Sequence, residues 1–141
     1  MRAASSRSRA ALAPPEVKRV VRAVLDGEGA DSATVSITLV SEPSMRALNR
    51  RVFGHNRPTD VIAFRLLHDG IVTGDVYICP RVARATAREL NIPEREELIR
   101  LVVHGTLHVL GLEHPVGTGR TASPMWRRQE RYVRRLARGA T

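Results

Sequence analysis

Cysteine occurs once in this 141-residue chain, at Cys79, and lysine once, at Lys18. A single cysteine excludes an intramolecular disulfide and suits a reducing compartment. Its place in the apolar run Val76-Tyr77-Ile78-Cys79 marks it as a small buried hydrophobe rather than a reactive thiol. No apolar run approaches the ~20 residues that a membrane-spanning helix needs, so no membrane partner is expected. No secretory signal is evident either, and a cytoplasmic location is the expectation. Lysine is scarce, but positive charge is not: arginine brings the chain to a formal net charge of +9. A GC-rich coding sequence would explain arginine in place of lysine, but not the net excess.

The excess is concentrated. Residues 116–141 hold seven arginines against Glu130 alone, a net +6. Such a segment favours a polyanionic partner, nucleic acid before membrane surface. The arginines Arg127, Arg131, Arg134 and Arg138 fall on one side of the helix expected there and are read as holding nucleic-acid phosphates. The length fits one domain with a proper core. Met1 to Ala13, with Arg2, Arg7, Arg9 and no acidic residue, reads as a frayed basic terminus or a very short organellar transit sequence. The frayed terminus is preferred, because the folded pattern starts almost at once. The expected organisation is a basic tail over 1–13 and a single domain over 14–141.

The chemistry is concentrated in His104-Gly-Thr-Leu-His108-Val-Leu-Gly111-Leu-Glu-His114. On a helix, four residues return a side chain to the same face about 6 Å along the axis, so His104 and His108 point together. A continued helix would carry His114 about 9 Å further, out of reach of a shared ion. Gly111 can end the helix in the left-handed conformation and bring the third imidazole back. Three neutral imidazoles leave a fourth position open for water, the arrangement of a catalytic zinc site. Zinc is preferred to copper on availability and open tetrahedral geometry, since copper binds more tightly to such ligands. The spacing equals that of the metzincin peptidases, but Gly105 stands where they carry the general-base glutamate. Metal-binding spacing is present and the peptidase base is absent.

Around this segment the pattern predicts a helix from Pro14 to Gly27 and a strand over Thr34–Val40. A helix from Ser41 to Gly54 follows, then a polar loop over 54–59 and a strand over Asp60–Phe64. A turn over Leu66–Gly70, a returning strand over Ile71–Cys79 and a helix over Pro80–Leu90 come next. A buried helix starts at Pro93-Glu94 and reaches Leu112, and a Gly/Thr loop over 115–122 leads to a terminal helix opened by Ser123-Pro124. The order αβαββααα is an α+β fold with a small mixed sheet and the zinc tripod at the end of the buried central helix.

At this point the sequence resembles the YbeY family, bacterial metal-dependent endoribonucleases of ribosomal RNA maturation found also in organelles. The family pattern H-G-x-L-H-L-x-G-Y-D-H is matched from His104 to His114, with Leu112 for Tyr and Glu113 for Asp. An upstream pattern L-N-x-x-Y-R-x-x-D-x-P-T-D-V-L-S-F is matched at Leu48-Asn49 and from Pro58 to Phe64, and L-G-D-I-x-I from Thr73 to Ile78. The three cover residues 35–115. The resemblance implies that His104, His108 and His114 bind one Zn²⁺. It further implies cleavage of single-stranded RNA, ribosomal RNA or a ribosomal subunit as partner, and no role for DNA.

The resemblance also exposes departures. The family arginine thought to act in catalysis or RNA binding falls on Phe53, and a Lys/Asp pair becomes His55 and Asn56. Arg50, Arg51 or Arg57 is the expected replacement as phosphate stabiliser, given the guanidinium's fit to phosphate. Gly105 is read as leaving room for a bulky phosphodiester beside the ion. Asp60 and Asp75 are candidates to orient a ligand histidine, although a turn or cap role suits each slightly better. Met125 and Trp126 are read as core, His55 and His68 as solvated. An alternative function is a ribosome-associated zinc- and RNA-binding assembly factor with little nuclease activity; a metalloprotease is disfavoured by Gly105.

Overall fold

A computed structural model describes residues 2–4, 11–112 and 123–138, the first three by their backbone alone. The elements are β1 (Arg2–Ala4), α1 (Pro14–Gly27), β2 (Thr34–Leu39), α2 (Glu42–Phe53), β3 (Val61–His68), β4 (Ile71–Ile78), α3 (Pro80–Leu90), α4 (Glu94–Val109) and α5 (Pro124–Arg138). One mixed sheet has the order β1-β2-β4-β3. Strands β1, β2 and β4 run parallel, and β3 runs antiparallel to β4 at the edge.

Helix α1 starts as the two prolines require. They occupy its first turn, where no N–H is needed, and Glu16 accepts a hydrogen bond from the Ala13 N–H at 3.4 Å. Val17, Val20, Val21, Val24 and Leu25 form its buried stripe. In β2 the alternation buries Val35, Ile37 and Leu39 on the same side of the sheet. That face is covered by α1 and α4, while Met45 and Leu48 of α2 pack with Ile62, Phe64 and Tyr77 on the other.

Two expectations are corrected. Arg2–Ala4, expected to fray, forms β1 in register with Ser36–Thr38. Strand β3 does not end before Leu66 but continues to His68, and the hairpin turns on Asp69 and Gly70 alone, at φ 52° and 77°. Asp-Gly in the left-handed region is the two-residue turn whose twist matches antiparallel strands. Leu66 and Leu67, 63% and 55% exposed, are held by backbone pairing with Thr73 and Val72, which side-chain alternation does not reveal.

Helix α4 is the centre of the molecule, packed against α1, α3, α5, β3 and β4. Leu98, Ile99, Val102, Val103, Leu107 and Val109 are buried around nearly its whole circumference. Its close approach to the sheet depends on two glycines. A Cβ at Gly105 would stand 2.5 Å from a methyl group of Val76, and one at Gly74 would collide with Val109 and the Phe64 carbonyl. Gly105 therefore serves the contact of helix with strand. It is not the source of open space beside an ion that the sequence suggested.

Candidate metal centre

His104 and His108 leave α4 one turn apart, as their spacing predicts. Their rings are nearly parallel, 11° apart, with centroids separated by 6.5 Å. The helix stops immediately afterwards. Gly111 adopts φ 99°, its N–H donates to the His108 carbonyl at 2.9 Å, and the Leu112 N–H donates to the Leu107 carbonyl at 3.0 Å. This pair of bonds is the Schellman arrangement, which ends a helix and turns the chain sideways. Arg65 of β3 secures the same end by donating from Nε to the Val109 carbonyl at 2.9 Å. His114 lies outside the described residues, so two of the three expected ligands have a described place. Among the described residues no group of three His, Cys, Asp or Glu side chains is placed to hold a metal.

The tautomer of His104 follows from a chain of hydrogen bonds. Gln129, 2% exposed on α5, donates from Nε2 to a carboxylate oxygen of Glu130 at 3.0 Å. A carboxylate only accepts, so the amide's other end, Oε1, faces His104 Nδ1 at 2.8 Å. An amide oxygen also only accepts; Nδ1 therefore carries the proton, which leaves Nε2 as the nitrogen a metal could take. A polar partner on the far nitrogen is how metal-binding imidazoles are commonly oriented. The ring chemistry and its orientation thus fit a zinc ligand.

Glu130 is fixed in turn by Arg100, which also binds Glu96 and Glu97 of its own helix. The contacts are Nε to Glu130 at 2.8 Å, Nη1 to Glu97 at 2.9 Å and Nη2 to Glu96 at 3.0 Å. The guanidinium among three carboxylates, hydrogen-bonded foremost to Glu130, has its pKa raised further. Burial pushes the Glu97 carboxyl above its ordinary value despite Arg100. Burial acts the same way on Glu130, but bonds from Arg100 and Gln129 and the charges of Arg100 and Arg134 hold it below. Replacing Arg100 by Met should cost about 3–5 kcal/mol at neutral pH, because buried carboxylates lose their partner. Without Arg100 the folded-state pKa of Glu97 climbs further above its unfolded value. The deficit should then shrink at acid pH and grow as pH rises through that interval. Urea unfolding of both proteins at acid and alkaline pH checks this, and a deficit independent of pH would contradict it.

The two imidazoles open into a hollow of about 330 Å³ walled by Phe53, Val61, Ile62, Ala63 and Met125. Phe53, at the end of α2, is 56% exposed there, and Met125 is 3% exposed. The loop between α2 and β3 is tied down by buried Asn49, whose Nδ2 donates to the Arg57 carbonyl at 2.9 Å. None of the three candidate phosphate stabilisers walls the hollow. Arg50 borders a separate hollow with Glu42, Arg46 and Asn56, and Arg51 and Arg57 are exposed.

Asp60 faces a neighbouring hollow of about 470 Å³ with Glu97, Arg100, His104 and Trp126. Asp75 is exposed on β4. The described side chain that orients His104 is thus Gln129 rather than either aspartate. His55 and His68 are exposed, the latter 3.4 Å from Asp69. Sequence reading missed Gln129 and Arg65. Gln129 did leave a signal: it is the polar member of the buried stripe Met125, Gln129, Tyr132, Val133, Leu136.

Comparison with known proteins gives the family. A family model described as Endoribonuclease YbeY matches residues 4–137. A protein of Thermotoga maritima named endoribonuclease YbeY is 36% identical over 99 residues, 70% of this chain and 65% of that relative, so the chain spans about two thirds of its length. A relative of the same name from Syntrophotalea carbinolica is 31% identical over 132 residues, 89% of this chain and 87% of its own. The solution structure of TM1509 from Thermotoga maritima superposes with a TM-score of 0.72 at 29% identity, covering 99% of this chain and 91% of that one. With the helix-borne histidine pair, its glycine turn and these matches together, the chain belongs to the endoribonuclease YbeY family.

Proposed function

We propose that this protein is a zinc-dependent endoribonuclease acting on single-stranded RNA in ribosomal RNA processing and ribosome maturation, within the cytoplasm. The observation that carries the reading is the stacked His104–His108 pair, with Nε2 of His104 left as the basic nitrogen by Gln129, opening into the hollow under Phe53. His104, His108 and His114 would hold one zinc ion. Bound zinc would supply a positive charge undiminished by its neutral ligands and lower the pKa of water from about 15.7 towards 7.

The chain's own residues have separate tasks. Gln129, held by Glu130 and Arg100, keeps the His104 ring from turning. Ile62, Ala63 and Met125 give the hollow an apolar wall that limits water. Among the described residues no helix is long and apolar enough to cross a membrane.

A second reading is favoured by a specific observation: no cationic side chain walls the hollow among the described residues, and Phe53 stands there. A protein that binds zinc and RNA in ribosome assembly, with weak cleavage, suits that wall. Purified protein incubated with labelled single-stranded RNA and with casein, each with and without chelator, separates the possibilities. Chelator-sensitive RNA cleavage with intact casein is the expected result. RNA binding without cleavage favours the assembly factor, and casein cleavage would overturn both.

A further inference from the structure

Another concavity lies away from the imidazoles. It is a groove of about 830 Å³ between the C-terminal end of α1 and the outer side of α5, bordered by Arg131, Arg134, Arg135 and Arg138. Its floor is internally neutralised. Arg128 pairs with Glu28 at 2.8 Å, and Tyr132 donates to the same carboxylate at 2.7 Å. Burial and the Glu28 charge push the Tyr132 phenol up to about 12, so it stays neutral. The rim has no such ion pair among the described residues, and of its four arginines Arg134 exerts a longer-range pull on Glu130. Among the described residues no carboxylate lies within 4.0 Å of Arg131, Arg134, Arg135 or Arg138; Arg135 lies over the Tyr132 ring, and Arg138 bonds the Arg134 carbonyl. Four like charges gathered on two turns of helix repel one another unless a polyanion joins them.

The groove is connected to the histidines by shared walls. Arg131 and Arg134 also border a shallow hollow with Trp126 and Glu130. Trp126 and Glu130 in turn border the hollow that contains His104. The path therefore winds round α5, from Gln129 beside His104 to Arg138, about 14 Å along the helix axis. The nearer hollow, with Asp60, Glu96 and Glu97, disfavours phosphate, so charge attraction acts at the far end.

We propose that this groove is the seat of a substrate RNA's flank, gripping phosphates several nucleotides from the scissile bond. The strand crosses Trp126 with a base rather than a phosphate against the helix. The assignment rests on the RNA reading above. Arg127, grouped with these arginines by helical spacing, borders only the shallow hollow, while Arg135 joins the groove.

The test uses metal-stripped protein, so that binding is read without cleavage, and single-stranded RNAs of about four and about sixteen nucleotides. The variant is Arg131→Gln/Arg134→Gln/Arg138→Gln, all exposed positions, with the triple Arg→Lys protein as the charge-conserving control. Wild type should bind the long RNA much more tightly. The Gln variant should lose that advantage, flatten the slope of log K against log salt by about 2, and bind the short RNA as before. The Lys control should keep the slope. An unchanged slope on the long RNA, or equal loss on both lengths, overturns the groove assignment alone. Failure of wild type to bind either RNA overturns the RNA reading. Binding instead to phosphatidylserine vesicles would reassign the groove to a membrane surface and overturn the proposal.

Discussion

Alanine at His104, His108 and His114 together should leave the purified protein without stoichiometric zinc, whereas wild type should carry one ion per chain. The two described histidines are partly exposed at the end of α4, outside its packed interior, so the fold should survive and the loss can be read on folded protein. Zinc retained by a folded triple variant would place the site elsewhere. A graded result should come from Gln129→Leu. This change removes the acceptor that keeps the proton on Nδ1, and should weaken zinc binding by about 10–100-fold in chelator competition. Equal zinc affinity in the Leu variant would reduce Gln129 to a packing residue.

The second large effect is expected at Phe53. Arg50, Arg51 and Arg57 do not wall the hollow beneath the imidazoles, but Phe53 does. If charge developing on a scissile phosphate goes unmet there, Phe53→Arg should speed single-turnover cleavage by about 10²-fold or more. Alanine at each of the three neighbouring arginines should then matter little. This reverses the compensation expected from arginine spacing alone, because, of these residues, only Phe53, the last of α2, walls the hollow. A gain of less than about tenfold in Phe53→Arg, with a hundredfold loss in one arginine variant, would restore compensation.

What the sequence disclosed divides along physical lines. The α4 histidine pair, the stop at Gly111 and the stripe of α1 follow from local geometry, and each is found where spacing predicts it. Strand β1 and the outer half of β3 are held by backbone hydrogen bonds to strands distant in sequence or across a hairpin, with no side-chain alternation to announce them. The orientation of His104 depends on α5 lying against α4, so that Gln129 meets a ring 25 residues earlier in the chain. Helical periodicity could have placed Gln129 on the buried stripe, but it says nothing of what the side chain faces. Spacing and the glycine supplied the ligand set, and the resemblance repeated it; the resemblance set an arginine against Phe53, but only the third dimension shows what Phe53 adjoins.

The contact between Gly105 and Val76 constrains what this scaffold can become. A peptidase of the same histidine spacing needs a carboxylate next to the first imidazole, and a single residue exchange at position 105 supplies one on paper. Here the direction a side chain would take from residue 105 is already filled by a methyl group of the sheet. Glutamate at that position would have to push α4 away from β4, moving the imidazoles with it, before it could reach any water beside them. Acquiring proteolysis would thus require first rebuilding the strand beneath, so the two histidine-based chemistries are separated by a packing barrier as well as by a missing base.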